Sequence, residues 1–244
     1  EVQNLDGTRT HRTAISLGSG YVYTDPATLV GRFKDSAKVE FRFDSGANKA
    51  QQYVFYNAFE GNVTDNLVLS GKIDYSKTVD GTNNQLLERH KEIILGAAYR
   101  PVNFDSLNLI TQYNLKDARG PAGQVSAANA DVIQTRTQVF SAQAIYDVNE
   151  NWQLAEKFAL RINDELVTGF EFNRTHTWLM IHRINYKLDR NWTISGELRN
   201  LTQVEAKDSK QGLLLEATRN INDNAQIGIG WNFTQFNDDL TNLN

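Results

Sequence analysis

Apolar and polar residues alternate along most of this chain. From Trp192 onward, Trp192, Ile194, Gly196 and Leu198 are apolar, while Thr193, Ser195, Glu197 and Arg199 are polar. The same period sets Leu67, Leu69, Ile73 and Tyr75 against Ser70, Lys72, Asp74 and Ser76. It sets Leu107, Leu109, Tyr113 and Leu115 against Asn108, Gln112, Asn114 and Lys116. Near the end, Ile227, Ile229, Trp231 and Phe233 oppose Gln226, Gly228, Gly230, Asn232 and Thr234. A period of two puts successive side chains on opposite sides of an extended backbone, so each segment predicts a strand with one apolar and one polar face. No segment gathers an apolar stripe at helical spacing.

Turn signals punctuate these segments. Tyr146-Asp147-Val148-Asn149-Glu150-Asn151-Trp152 returns as Tyr186-Lys187-Leu188-Asp189-Arg190-Asn191-Trp192, about 40 residues later, a spacing that marks a repeated supersecondary unit. Weaker copies begin at Gly61, Asn220, Tyr23 and Tyr99. Asn, Asp and Pro dominate because they accept turn dihedrals and bond to their own backbone. The unit is a long hairpin. Two strands per turn gives about twelve strands of about 10–15 residues, against about 5–6 for strands of soluble sheets. A tilted strand crossing a bilayer needs about 9–11 residues.

The predicted fold is therefore an all-β, antiparallel, up-and-down transmembrane barrel, one domain over residues 1–244. The mean hydropathy of −0.49 is no objection, since such strands hide their apolar residues at every second position. Tyr21, Tyr23, Tyr99, Tyr146, Trp152, Tyr186 and Trp192 all stand beside the short turns and predict an aromatic girdle at one membrane interface.

Composition removes other classes. There is no cysteine, hence no disulfide scaffold, no cysteine–zinc site and no thiol nucleophile. A net charge of −4 argues against a general nucleic-acid binder. His11, His90, His176 and His182 do not make a metal site: His176 and His182 share a strand face but stand roughly 20 Å apart along it. His182 shares parity with Trp178, Met180 and Ile184 and is expected on the lipid face or against a neighbouring protein. None of the histidines is followed two residues on by a serine, only His11 by Thr13, so no hydrolase dyad is read and an enzyme is not expected. The Asp/Asn turns lack calcium-loop spacing. No metal, cofactor or catalytic residue is assigned.

Parity places Arg32, Lys34, Lys72, Arg100, Lys116, Lys157, Arg161, Arg183, Lys187 and Arg199 in the lumen, with Asp74, Glu92, Glu197 and Glu216 as the acids beside them. A basic lining favours anion passage, whereas cross-strand pairing of these cations with carboxylates makes them structural. Glu156 and Arg219 break the lipid-facing pattern, and so mark either headgroup level or a parity slip.

The connections opposite the short turns, 78–86 and 116–131, are longer and more polar, which orients the short turns toward the periplasm. Strand one (about Arg12–Tyr23) then runs inward and the last (about Gln226–Phe236) outward. Both ends fall on the external side, and with an opening at Glu1-Val2-Gln3-Asn4 the chain is expected to be a fragment whose parent barrel has about fourteen strands. Pairing of the first strand with the last is the observation that removes this expectation.

Gly228-Ile229-Gly230-Trp231-Asn232-Phe233-Thr234-Gln235-Phe236-Asn237-Asp238-Asp239-Leu240 and Asn191-Trp192-Thr193-Ile194-Ser195-Gly196 resemble outer-membrane β-barrels of Gram-negative bacteria. More narrowly, they are similar to the C-terminal barrel region of large, repeat-containing surface proteins. The resemblance implies a location in the bacterial outer membrane among its lipid and lipopolysaccharide, and a membrane anchor or scaffold for a larger surface protein or assembly. It brings no catalytic residues. The alternatives are a narrow, anion-leaning porin-like channel and a soluble all-β binding domain.

Overall fold

The computed structural model describes residues 2–3, 9–24, 32–46, 49–121, 132–167, 172–222 and 225–238. The turn read at 25–29, most of the long connection 122–131 and the terminal 239–244 lie outside the described residues. The strands are β1 (Val2–Gln3), β2 (Arg9–Thr24), β3 (Arg32–Gly46), β4 (Ala50–Thr64), β5 (Leu67–Asp80), β6 (Leu86–Tyr99) and β7 (Leu107–Pro121). They continue with β8 (Val132–Asp147), β9 (Trp152–Val167), β10 (Asn173–Lys187), β11 (Trp192–Gln203), β12 (Asp208–Asn222) and β13 (Ala225–Asp238).

Apart from the two-residue β1, the twelve strands run 12 to 16 residues. All belong to one sheet in strict sequence order, every neighbour antiparallel. Each strand contacts only the strand before it and the strand after it among the described residues, so nothing packs on either face. The sheet is not closed: β13 and β2 are not paired with each other among the described residues.

Face assignment follows from register. Ile184, Gly196 and Leu215 stand opposite one another on β10, β11 and β12, and Leu69 faces Gly61 and Ala97 on β4 and β6. Every strand continues these apolar rows on one side. On the other side, Arg183 faces Glu197, Ser195 faces Glu216, and Asp74 faces Glu92.

Burial is inverted relative to a water-soluble domain. Val79, 6% exposed, is the one buried apolar residue among the described residues. Leu17 is 78% exposed, Ile229 77% and Leu198 57%, whereas Ser195 is 4% exposed and Glu40 and Glu197 are 7%. In a single layer these polar side chains are covered only by neighbours on their own and adjacent strands. The apolar face is the exposed exterior of the layer.

The repeated turn has a repeated cause. Asn149 Oδ1 accepts the N–H of Asn151 and of Trp152, both at 2.9 Å. Asp189 Oδ1 accepts the N–H of Asn191 at 2.7 Å and of Trp192 at 2.9 Å. The side-chain oxygen thus satisfies the two amides that the reversal leaves without ladder partners. These turns are also tied sideways. Asn66, Ser106, Asn151 and Asn191 carbonyls accept the N–H of Arg100, Asp147, Lys187 and Asn220, all at 2.8 Å. Adjacent hairpins are joined at their turns as well as along their strands.

Candidate functional site: an apolar exterior and a charged lining

The exterior begins at the short turns. All seven girdle aromatics, Tyr21, Tyr23, Tyr99, Tyr146, Trp152, Tyr186 and Trp192, share the apolar face by register. Trp152 and Tyr186 lie on adjacent strands with ring centroids 4.5 Å apart, and Phe104 approaches Tyr146 at 6.1 Å. Above them the face is aliphatic and aromatic. Phe158 and Trp178 meet at 5.4 Å, and Trp231 and Phe233 stack at 5.9 Å. All four tryptophans of the chain project from this face.

Glu156 and Arg219 are on the exterior with no parity slip. The Arg219 guanidinium lies over the Trp192 ring, 5.5 Å from its centroid, at the girdle. Glu156 stands directly opposite His182 and pairs with its Nδ1. This polar pair sits four residues from Trp152 and Tyr186, roughly 13 Å along the strands.

The polar face takes nine of the ten predicted basic residues: Arg32, Lys34, Lys72, Lys116, Lys157, Arg161, Arg183, Lys187 and Arg199. Arg100 lies just beyond a strand. It follows the last residue of β6, sits on the turn and faces Asp105 at 3.6 Å, both side chains largely exposed. The prediction of few acids is corrected. Register adds Glu40, Asp44, Glu60, Asp147 and Glu165 to this face. Strand parity gives the face of each residue separately, and these acids went uncounted because their own strands carry weaker apolar patterns.

The carboxylates of this face are mostly paired. Glu40 bridges Lys38 and Arg42 along β3, and Arg12 holds Asp44 through two bonds of 2.7 and 2.8 Å. Lys72 donates to Glu92 at 2.9 Å. On β10–β12, Arg183 reaches Glu197 at 3.2 Å and Glu216 at 3.3 Å, and Glu197 also accepts from Arg199. The network runs on through Asn185 and Gln153 to Asp147. It borders a recess of about 710 Å³ near the short turns. Six of the nine cations differ: Arg32, Lys34, Lys116, Lys157, Arg161 and Lys187 have no side-chain hydrogen bond or ion pair among the described residues.

The remaining histidine contact is at the opposite end. Glu205, on the turn between β11 and β12, accepts the His176 backbone N–H at 2.6 Å and pairs with its ring. The hydrogen bond from the His176 side chain, then the one from its backbone, hold the Glu205 carboxyl below its ordinary value. No group of three or more potential metal ligands occurs among the described residues.

No protein-family model matches this chain, and no curated protein matches its sequence.

Proposed function

We propose that this chain is an outer-membrane β-barrel serving as the anchor or scaffold of a larger surface protein or assembly. One observation carries the reading: a single sheet exposes leucines, isoleucines and tryptophans while the carboxylates Glu40 and Glu197 on its polar face are buried. In water this arrangement has no hydrophobic driving force; in a bilayer the same face gains its full transfer energy. Because lipid cannot satisfy backbone N–H and C=O groups, the edges β2 and β13 must be paired in the membrane. They pair with each other in a ring of twelve, or each takes one further strand in a ring of about fourteen, and both keep the even number of such barrels. The anchor is supported over the pore where Arg183, Arg199 and Lys72 are already neutralised by Glu197, Glu216 and Glu92.

A narrow, anion-leaning channel is the second reading, and it rests on the cations without a partner among the described residues: Arg32, Lys34, Lys116, Lys157, Arg161 and Lys187. The test is refolding into vesicles of brominated-chain lipid. Quenching of the tryptophan emission is expected, because all four tryptophans share the exterior. Unquenched, soluble protein overturns the barrel and leaves the soluble binding domain. On inserted protein, planar-bilayer conductance with an anion-sided reversal potential selects the channel, and silence selects the anchor.

A further inference from the structure

The exterior is not apolar to its upper edge. Near the end opposite the short turns, Lys77 of β5 stands directly across from Arg89 of β6, and Arg89 directly across from Arg119 of β7. These residues continue the outward row of Ile73, Ile93 and Leu115, four positions below. Like charges placed directly opposite across strands repel and destabilise the pairing. The neighbouring row does not cancel them: Lys91, Asp117, Arg136, Asp164 and Arg174 face one another in turn across β6–β10. Arg89 reaches Asp117 at 3.2 Å, yet its Nε is buried without an acceptor. Lys77 and Arg119 have no ion pair among the described residues. Together the two rows hold six cations against two acids, on a chain of net charge −4.

We propose that the Lys77–Arg89–Arg119 row binds the phosphate groups of membrane lipid headgroups. The inference rests on the barrel reading, under which this row lies at the headgroup level of the leaflet farther from the short turns. Charge complementarity selects the ligand: three adjacent cations and a spare guanidinium N–H match an anion with several acceptor oxygens. The aliphatic row Ile73–Ile93–Leu115, roughly 13 Å below along the strands, supplies contact for the acyl chains of the same molecule. An anion free in solution has no use for that second row.

The experiment is native mass spectrometry of the detergent-purified protein with bis-phosphorylated lipid A and with its dephosphorylated form, which has the same acyl chains. The wild type is expected to retain the phosphorylated form selectively. In the triple variant Lys77→Gln, Arg89→Gln, Arg119→Gln, retention is expected to fall roughly fivefold for each cation removed. The control Arg100→Gln, Arg190→Gln, at the turns of the other end, keeps wild-type retention. Equal retention of the two lipids, or a triple variant that binds like the wild type, overturns the proposal. Brominated-lipid quenching on the same preparations separates the failures. Quenched protein without selective retention removes this site and leaves the barrel; unquenched protein removes both.

Discussion

Single side chains set the reversals on which everything else hangs. Asn149 and Asp189 each satisfy two turn amides, and the aromatic residue that follows, Trp152 or Trp192, is itself one of the two donors. Replacing Asp189 with Ala leaves both N–H groups without that acceptor, and about 1 kcal/mol of stability is expected to be lost. Urea unfolding of the refolded protein reads the loss, with Asp189→Asn retaining most of it. Glu205 adds a dependence on acid. Its carboxyl is held below the ordinary 4.5 by His176, so the tie is complete above that value and is lost as pH falls through the lower, folded value. Exchange of the His176 amide, which Glu205 accepts, is expected to quicken as pH is lowered past this range, after correction for intrinsic rates. The change is expected to vanish in Glu205→Gln.

At the scale of strands, the alternation of apolar and polar residues was enough to place both faces. The strand for Leu67–Tyr75 or Trp192–Arg199 is legible because each apolar residue has a polar neighbour, and the girdle because turn and aromatic recur together. Register was not legible. Parity says that Lys34 and Glu40 share a face with Arg42 once the face of β3 is known, but not that Glu40 sits between two cations. Nor does it say that Arg89 has a cation opposite on each side, because those partners come from other strands. For Arg100 parity gives no face in the structure, because β6 stops at Tyr99, one residue short. The Glu156–His182 pair shows what register adds: two isolated departures from the apolar pattern prove to be one contact. Removing one partner leaves an unpaired polar group against lipid, whereas removing both leaves none. Glu156→Leu alone is therefore expected to destabilise the inserted protein by about 1–3 kcal/mol, and Glu156→Leu with His182→Leu to restore or exceed the wild type. Denaturant unfolding in lipid vesicles measures the difference.

At the scale of the molecule, the described residues form one layer without a core, so its two outermost long strands decide whether it is a sheet or a ring. On β2, Leu17 and Tyr21 are exposed on one face while, beyond the short pairing of β1 with Arg9 and Thr10, no strand among the described residues lies beside its outer edge, and β13 repeats this with Ile229 and Trp231. In a bilayer such edges cost several kcal/mol for each unsatisfied group. Amides along the outer edges of β2 and β13 are expected to exchange as slowly in vesicles as those of central β8. Fast exchange confined to the two edges removes the ring.

The ties between turns carry a consequence for how such a molecule changes size. Among the described residues each strand meets only its predecessor and its successor, and the carbonyl at each of four turns is already bound to the next hairpin. A hairpin copied together with its turn brings its own joint. Circumference can then grow or shrink in steps of two strands with no distant contact to rebuild, and the matched segments 146–152 and 186–192 have the form of such an interchangeable unit.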